Sequence, residues 1–539
     1  MSPGFGSSPR RGRTSKRMLR GVAVSTLGAL LAGSGLGVAH AEVDPALGYD
    51  AIANKGSLFN IAEVVGAHDA YRKGLTGKGV GVALIDTGVA PVPGLTSGNV
   101  VNGPDLSFDS QLDGMAHLDA FGHGTHMASI IAGRDAAGTP SSYLDPGRFT
   151  GIAPDATLVN VKVGASNGAV DVTQVIAAID WVVEHAKDPG LNIRVITLAY
   201  GTDSLQSSTV DPLAYAVENA WRKGIVVVAA GGNDGRPDKT LANPAYDPHV
   251  LAVGAMDSAG TVSSSDDTVP NWSTRGTDAR HVDVVAPGVS VLGLRVPGGV
   301  SDSNNPQARV GERFARASGT SQATAVAAGE AALILQKYPW LAPDQVKQLM
   351  TTTASGILSS LPILSGSGLV NLRAVLFNPV NSLLGTVGGL LDSLGTKRWG
   401  SGTGSLEKAR GSFHVGAGAT ELRGEIDIFG RAWSGYTWTR QASGGSVWNY
   451  GAWLGQRMTG DGWQDHSWPT ASWPATDWTG ASWTADAWSA KTWSNGSWSA
   501  KTWSGDTWSA KTWSGDTWSA KTWSGDTWSA KTWSSENWS

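Results

Sequence analysis

The sequence predicts an α/β domain in which a doubly wound, mostly parallel sheet carries helices on both faces. Strands that are buried on both faces read as continuous apolar runs. Such runs occur at residues 80–85, 158–163, 193–199, 225–230 and 250–253. Helical patterns lie between them at 172–187 and 212–223, and two more follow at 320–337 and 343–351. Strands that alternate with helices favour parallel pairing, because the chain crosses back over the sheet between neighbouring strands.

The first 41 residues have the order of a secretory signal peptide. Basic residues come first, at Arg10, Arg11, Arg13, Lys16, Arg17 and Arg20. An uncharged, mostly apolar run follows at 21–38, and the small-x-small triplet at 39–41 is typical of a cleavage site. The alternative is an uncleaved membrane anchor, since the apolar run is just long enough to span a bilayer. We expect a mature, secreted chain that begins near Glu42.

Composition limits the partners and the compartment. The 539 residues contain 41 Lys plus Arg against 45 Asp plus Glu, so no basic excess indicates nucleic acid as a partner. After residue 41, no run is long and apolar enough to span a bilayer. The chain has no cysteine, which excludes a cysteine protease and disulfide bonds. An exported protein of this kind must owe its folding to a packed core or to bound ions.

Three glycine-flanked stretches carry candidate catalytic side chains. Asp86 ends a strand in GVALIDTGV, His123 precedes a helical pattern in FGHGTHMASIIAG, and Ser321 opens a helix in ASGTSQATAVAAG. Each has an alternative role: a turn cap for the Asp, a metal pair with His126 for the His, and a helix N-cap for the Ser. A serine nucleophile needs a neutral imidazole within reach, and that imidazole needs a carboxylate to fix its tautomer. The three residues together supply this set.

These motifs resemble those of the subtilisin-like serine peptidases, in which Asp, His and Ser follow one another in this chain order. The similarity covers residues 70–353 and includes GIAPDATLVNVKV, VVVAAGGNDG and VVAPGVSV. It implies that Asp86, His123 and Ser321 are catalytic. It also implies that Asn233, in the family's AAGN stretch, donates its amide to the oxyanion hole, where a carboxamide can donate without titrating. The resemblance therefore implies a serine endopeptidase that acts through an acyl-enzyme.

The resemblance also assigns residues to substrate binding. They belong to the backbone edge that pairs with substrate and to the specificity pocket, and they are Ala199, Tyr200, Gly201, Ala242 and Pro244. Where the family often has Ser-Leu-Gly, this chain has Ala-Tyr-Gly, and we expect the bulky Tyr200 to narrow a neighbouring subsite. The small apolar residues at 241–244 indicate an uncharged substrate side chain in the pocket.

The chain departs from the family pattern elsewhere. After the nucleophile, Gln322 stands in place of the family's Met and Ala325 in place of its Pro. Only residues 42–59 separate the expected cleavage site from the catalytic pattern, fewer than a folded inhibitory pro-segment needs. Family members often bind calcium, and a structural calcium ion stays open here, although no acidic cluster indicates its site. We expect no metal ligands and no cofactor for the chemistry.

The C-terminal region is a tryptophan repeat. Trp occupies 20 of the 22 positions that are spaced five apart from 433 to 538. On a strand, successive indoles at this spacing point to opposite faces and every tenth residue aligns, which matches the alternation of SAKTW with SGDTW. Two structures stay open: a solenoid-like stack of strands and turns, and a largely disordered tail. Exposed indoles can stack on sugar rings, so we expect a cell-wall glycan as the partner of this region.

The sequence therefore divides the chain into five parts. They are a signal peptide at 1–41, a short segment at 42–59, a catalytic domain at 60–378, a Gly/Ser-rich linker at 379–430 and the Trp repeat at 431–539. We predict a secreted serine endopeptidase that cleaves proteins or peptides. The alternative is a catalytically weak or inactive domain of the same fold that serves a wall- or glycan-binding protein.

Overall fold

The computed structural model describes residues 48–111, 115–235, 240–357, 365–377, 398–417 and 420–463, with the dipeptides 523–524 and 533–534. All described residues belong to one unit, which lies within Glu42–Ser539. Among these residues, no helix has the length and apolarity that crossing a membrane requires. The expected signal peptide lies outside the described residues.

Seven parallel strands form the central sheet, in the order β2-β3-β1-β4-β5-β6-β9. The strands are β1 (Gly81–Asp86), β2 (Val100–Asp105), β3 (Thr157–Lys162), β4 (Ile193–Leu198), β5 (Val226–Ala230), β6 (Leu251–Met256) and β9 (Val284–Pro287). Every residue of β1, β5, β6 and β9 is buried. Because successive side chains on a strand point to opposite faces, both faces of the sheet are covered. The predicted doubly wound, mostly parallel sheet is confirmed.

Helices pack on the sheet in pairs. The α-helices of the described residues are α1 (Leu58–Val65), α2 (Ala67–Arg72), α3 (His123–Ala132), α4 (Val172–His185), α5 (Pro212–Arg222), α6 (Val300–Asn304), α7 (Thr320–Lys337), α8 (Pro343–Thr352), α9 (Leu372–Phe377), α10 (Leu406–Arg410) and α11 (Gly435–Gly444). The long helix α7 packs against α3 and runs along β4, β5, β6 and β9. Helices α4 and α5 pack against each other and contact β1 and β5, respectively. The first turns of α3 and α7 are thereby held beside the central strands.

Short antiparallel strands complete the structure. They are β7 (Gly276–Thr277), β8 (Arg280–His281), β10 (Val291–Leu294), β11 (Arg309–Val310), β12 (Phe314–Ala317), β13 (Gly416–Ala417), β14 (Thr420–Glu421), β15 (Trp448–Asn449), β16 (Ala452–Trp453) and β17 (Gln456–Arg457). Strand β12 pairs with both β10 and β11 and leads directly into the segment before α7. Strands β15, β16 and β17 form a three-stranded sheet near the end of the continuous structure.

The described residues from 398 to 430 belong to the predicted linker and those from 431 to 463 to the predicted Trp repeat, yet both pack into one core. Their apolar side chains are buried in the same core as the sheet and its helices, including Leu406, Ala409, Val415, Leu422, Ile428, Phe429, Trp438, Val447 and Trp453. Glycine and serine are frequent here, but the apolar residues between them are enough to bury the segment against α4 and α5. This segment, residues 398–463, is called the C-terminal belt below.

The tryptophan repeat begins within this belt. Its early members at 433, 438, 448 and 453 lie in or beside α11 and the β15-β16-β17 sheet. Farther along, β18 (Trp523–Ser524) pairs in parallel with β19 (Trp533–Ser534), ten residues later, with Trp523 opposite Trp533. The other residues from 464 to 539 lie outside the described residues, so the choice between solenoid and disordered tail stays a prediction.

Candidate active site

Asp86 and His123 meet where a strand ends and a helix begins. Strand β1 ends at Asp86 and helix α3 begins at His123. The His123 Nδ1 atom lies 2.8 Å from Asp86 Oδ1 and 3.0 Å from Oδ2, and the two side chains are 0 and 1% exposed. Gly124 permits this approach, because a Cβ at this position would lie 2.1 Å from the Gly88 carbonyl oxygen. The carboxylate therefore accepts the Nδ1 proton, which leaves Nε2 as the ring nitrogen that can take up another.

A second buried carboxylate holds the start of α3. Asp119 accepts hydrogen bonds from the backbone N–H groups of Gly122 and Thr125, each at 2.7 Å. Its Oδ1 also accepts the Thr87 hydroxyl at 2.9 Å, and the backbone N–H of Thr87 donates to Asp86 at 2.7 Å. Burial raises the pKa of Asp119, and the two N–H donors act in the opposite direction. Asp119 and Thr87 thus connect the end of β1 to the helix that carries the histidine.

Sequence reasoning missed these two residues. The signal was present, because Asp119 stands four residues before His123 and an aspartate just ahead of a helix commonly binds its free N–H groups. Thr87 follows the catalytic candidate Asp86 directly, and its role shows only when the strand end and the helix start are placed together.

Ser321 lies in the first turn of α7. The helix begins at Thr320 with Gly319 as its N-cap, so Ser321 is inside the helix and is not its cap. The Ser321 hydroxyl is buried and donates to the Ala199 carbonyl oxygen at 3.4 Å. This bond joins the start of α7 to the end of β4. The hydroxyl is therefore placed close to the unpaired N–H groups and the positive end of a long helix.

Asn233 is locked against the residue that precedes Ser321. Its Oδ1 accepts the backbone N–H of Thr320 at 2.9 Å and the Thr320 hydroxyl at 3.1 Å. The backbone N–H of Gly232 donates to the same hydroxyl at 3.2 Å. Because these bonds hold the amide oxygen, the Nδ2 group on the other side of the carboxamide points away from Thr320. The carboxamide of Asn233 is therefore held in a fixed orientation beside the start of α7.

The residues assigned to substrate binding lie on two joined segments. Ala199, Tyr200 and Gly201 follow β4, while Thr202 and Asn243 exchange backbone N–H···O bonds at 2.9 Å in both directions. A Cβ at Gly201 would lie 2.7 Å from that of Ala242, so only glycine allows the two segments to come this close. Of the two pocket candidates, Ala242 is half-buried and Pro244 is buried.

Tyr200 lies in the interior of the domain. Its side chain is 2% exposed and belongs to the main apolar core, and burial raises its pKa. The phenol ring is large and mostly apolar, so packing it inward removes a large area from water. Its bulk therefore lies within the domain, and its effect on a neighbouring subsite stays a prediction.

His126 follows His123 on the same helix. It is buried one helical turn farther along α3, and burial lowers its pKa to about 3. Among the described residues, a group of three or more potential metal ligands occurs elsewhere and includes neither histidine. Whether the two histidines bind a metal as a pair stays a prediction.

Comparisons with known proteins identify the family. A model of the subtilase family, Peptidase_S8, matches residues 77–402. Serine protease AprX of Bacillus subtilis (strain 168) is 38% identical over 325 residues, which are 59% of this chain and 71% of that protein. Subtilisin DY of Bacillus licheniformis is 33% identical over 313 residues, which are 58% and 96% of the two chains. A crystal structure of a cold adapted subtilisin-like serine proteinase aligns at 30% identity with a TM-score of 0.40, covering 55% of this chain and 88% of that one. Since the family model covers more than half of its length, this protein belongs to the subtilase family and is a serine-type endopeptidase.

Proposed function

We propose that Ser321 is the nucleophile of this endopeptidase, that His123 is its general base and that Asp86 holds the histidine. The observation that carries the proposal is the contact of His123 Nδ1 with both oxygens of Asp86, at 2.8 and 3.0 Å, in a site shielded from water. A buried carboxylate in this position fixes the imidazole tautomer and stabilises the imidazolium that forms during the reaction. A histidine on the surface would not need a buried carboxylate partner.

The reaction then proceeds in two halves. In the first, Ser321 Oγ attacks the carbonyl carbon of the peptide bond while His123 Nε2 takes the hydroxyl proton. The resulting tetrahedral intermediate collapses when the imidazolium gives that proton to the amine of the leaving peptide. In the second half, a water molecule loses a proton to the imidazole and attacks the ester, which releases the acid and restores Ser321. None of these steps requires a cofactor.

The negative oxygen of the tetrahedral intermediate is stabilised by two groups. One is the Nδ2 amide of Asn233, whose oxygen is already held by Thr320. The other is the N-terminal end of α7, where backbone N–H groups and the helix dipole favour negative charge. Because both groups are held before substrate binds, little reorganisation is needed when the charge develops.

The substrate is a protein or peptide that binds in extended form beside β4. Ala199 and Gly201 supply main-chain donors and acceptors at this edge, and their neighbour Thr202 is tied to Asn243. Ala242 and Pro244 form part of the wall of the specificity pocket. The pocket wall is uncharged at these positions, which favours an uncharged substrate side chain.

We also propose that the enzyme is secreted and that its tail binds a cell-wall glycan. Secretion is supported by the basic, apolar and small-residue order of residues 1–41. Glycan binding is supported by the repeat of aromatic residues in a polar background, since indole faces can stack on sugar rings. Retention on insoluble cell wall by the full chain, and not by a chain that ends at residue 463, would support this role; equal retention would contradict it.

Labelling with an active-site fluorophosphonate tests the proposed nucleophile. The wild type should be labelled once, and Ser321→Ala should not be labelled although it retains the circular dichroism spectrum of the wild type. Ser263→Ala, at an exposed serine, is the matched control and should be labelled as fast as the wild type. Labelling of Ser321→Ala, or none of folded wild type, would overturn the assignment.

A further inference from the structure

A second cluster of ionisable side chains lies outside the active site. It consists of Glu218 on α5 and of Asp247 and His249 in the loop before β6, and the three residues are 1, 0 and 4% exposed. One ligand atom from each residue lies within 4.8 Å of the others. The proposed reaction uses none of them. Sequence reasoning missed the cluster because Glu218 is remote from the other two along the chain.

The distances within the cluster are close to the edges of a metal coordination shell, although the shorter one is also that of a hydrogen bond. His249 Nδ1 lies 3.2 Å from Asp247 Oδ1 and 3.5 Å from Glu218 Oε1. Ligand atoms that bind zinc at about 2.0 to 2.2 Å in a tetrahedron are separated by about 3.3 to 3.6 Å. The separation between His249 and Glu218 is long for a direct hydrogen bond but suits two ligands of one ion.

One oxygen in the cluster points to a missing cation. Asp247 Oδ2 is buried and has no hydrogen-bond partner among the described residues. A buried carboxylate oxygen without a donor is costly, and native proteins normally satisfy such atoms with protein, water or an ion. Asp247 Oδ1 accepts the backbone N–H of His249 at 2.8 Å, so a cation that binds Oδ2 as well would satisfy the remaining oxygen.

The surroundings orient the proposed ligands. Glu218 Oε2 accepts the backbone N–H of Gly400 at 2.7 Å and lies 3.5 Å from Arg222 Nη1, so Oε1 is the oxygen left for His249. The Trp399 ring stacks on the His249 ring, with centroids 3.9 Å apart and an interplanar angle of 13°. The backbone N–H of Gly400 thus fixes the direction of the Glu218 carboxylate, as outer hydrogen bonds do in metal sites, and the Trp399 ring fixes the plane of the imidazole.

The charges also fit a divalent ion. Two carboxylates and a neutral histidine carry two negative charges, and among their own side-chain contacts Arg222 is the cation. Arg280 and Lys347 bind backbone carbonyl oxygens of the same loop and share the Asp283 carboxylate. A divalent cation would neutralise the remainder. The competing arrangement is a protonated His249 between the carboxylates, and the experiment below distinguishes the two.

We propose that Glu218, Asp247 and His249 form a binding site for a divalent cation of the zinc type, with water in the remaining position. The site joins three parts of the protein: helix α5, the loop that carries Ala242 and Pro244, and the start of the C-terminal belt at Trp399. A bound cation therefore stabilises the belt and the pocket loop together and takes no part in peptide hydrolysis.

Metal titration of the full chain tests this proposal. Ser321→Ala is used as the background to prevent self-digestion, and the protein is stripped with a chelator before titration with Zn²⁺ and Co²⁺. We expect one tight equivalent, an intense visible band of tetrahedral Co²⁺, and a higher thermal midpoint with Zn²⁺. In Asp247→Asn and His249→Gln, affinity should fall by more than about 100-fold, since even losing an outer contact costs about 10- to 100-fold. His185→Gln, at a histidine stacked on Trp181, is the control and should bind normally.

Two outcomes would overturn the site. One is the absence of a tight equivalent in the Ser321→Ala background, which would show that His249 is held as a protonated partner of the carboxylates. The other is binding that survives in both ligand variants. If those variants do not fold, zinc X-ray absorption of the Ser321→Ala protein decides the question: one imidazole with oxygen ligands supports the site, and two or more imidazoles contradict it.

Discussion

The indole N–H of Trp438 donates a hydrogen bond at 2.8 Å to Oδ2 of Asp180, a buried carboxylate on α4. Trp453 donates to the same oxygen at 2.9 Å. The ring of Trp433 lies between them, with centroids 5.3 Å from Trp438 and 6.2 Å from Trp453. The first members of the tryptophan repeat thus bind one carboxylate of the sheet-and-helix unit. We infer that they stabilise the peptidase itself and are not part of a separate tail.

Replacing Asp180 should change how stability depends on pH. Burial raises the pKa of Asp180 to about 7, and the two indole donors act against this shift. In the unfolded chain, the carboxyl group of Asp180 ionises near the ordinary aspartate pKa of about 3.9. The stability that the protonated group contributes below that pH is therefore lost as pH rises towards 7. Thermal midpoints in the Ser321→Ala background should therefore fall more steeply between pH 4 and 7 with Asp180 than with Asp180→Asn. Between pH 4 and 7, the protein with Asp180 should lose at most about 4 kcal/mol more stability than Asp180→Asn. Parallel curves would contradict the prediction, and the exposed Asp188→Asn should leave the slope unchanged.

Truncation should separate the belt from the rest of the tail. A chain that ends at residue 430 loses Trp438 and Trp453 and leaves Asp180 without both donors. Burying an indole stabilises a fold by about 4 to 6 kcal/mol, so this chain should melt far lower than the full chain and lose peptidase activity on warming. A chain that ends at residue 463 keeps these contacts and should match the full chain in both measurements. Equal midpoints for the two truncated chains would show that residues 431–463 contribute nothing to stability.

The sequence predicted most of the sheet because the physical signal there is local. A strand that is buried on both faces must be apolar throughout, so β5 was expected at 225–230 and occurs at Val226–Ala230. The candidate triad was also predictable, because Asp86, His123 and Ser321 each lie at the end of a strand or the start of a helix beside glycine. The structure brings Asp86 and His123 into contact as the hypothesis requires.

The belt could not be predicted in this way. In the sequence, Asp180 looks like an ordinary polar residue on a helix, and its two indole partners lie 258 and 273 positions later. Arg410 stands in a stretch whose glycine and serine content predicts a linker, yet it is fully buried against Asp171. The spacing of apolar residues and the composition of a segment predict local structure, whereas these contacts depend on where distant segments pack.

Removing Arg410 should strongly destabilise the protein. Its Nε lies 2.6 Å from Asp171 Oδ2, and both side chains are 0% exposed. Asp171 also caps α4 by accepting the backbone N–H of Thr173 at 2.9 Å. Arg410→Met leaves this carboxylate buried without its partner, which typically costs about 3 to 5 kcal/mol.

Urea unfolding in the Ser321→Ala background measures this effect. Adding Asp171→Asn should recover part of the loss, because the uncompensated charge is then removed. The exposed Arg423→Ala serves as the control and should change stability by less than about 1 kcal/mol. An Arg410→Met protein as stable as its parent would mean that the buried pair contributes no net stability.

Replacing Asn233 should slow catalysis without weakening substrate binding. The proposed role of its amide is to donate a hydrogen bond to an oxygen that becomes negative only in the transition state. Removing such a donor lowers kcat by about 10² to 10³. Asn233→Ala should therefore reduce kcat by this factor on a peptide substrate while KM changes little. Because Asn233 also binds Thr320, Thr320→Val is the control. It removes the hydrogen bond between the Thr320 hydroxyl and Asn233 but keeps the amide donor, so its kcat should fall much less. A rise in KM at constant kcat would show that Asn233 acts in binding.

The last prediction concerns Glu330, a carboxyl group inside the helix that carries Ser321. It lies nine residues after Ser321 on α7, is 0% exposed, and neither of its oxygens has a hydrogen-bond partner among the described residues. Burial raises its pKa well above the ordinary value, because a buried site disfavours the charged form. The unfolded chain ionises above about pH 4.3, and stability therefore falls as pH rises from there towards the folded pKa.

Glu330→Leu should remove this pH dependence. In the Ser321→Ala background, the variant should be more stable than its parent. This gain should be larger at pH 8 than at pH 4. It should grow by up to about 1.4 kcal/mol for each pH unit between the pKa of Glu330 in the unfolded chain and its pKa in the folded protein. Urea unfolding at pH 4, 6 and 8 measures the gain, and Glu312→Gln, at a side chain that is 98% exposed, should show no such trend. A gain in stability that is constant across this pH range would mean that Glu330 does not change its charge on unfolding. A loss of stability at every pH would mean that the carboxyl group stabilises the native packing of α7.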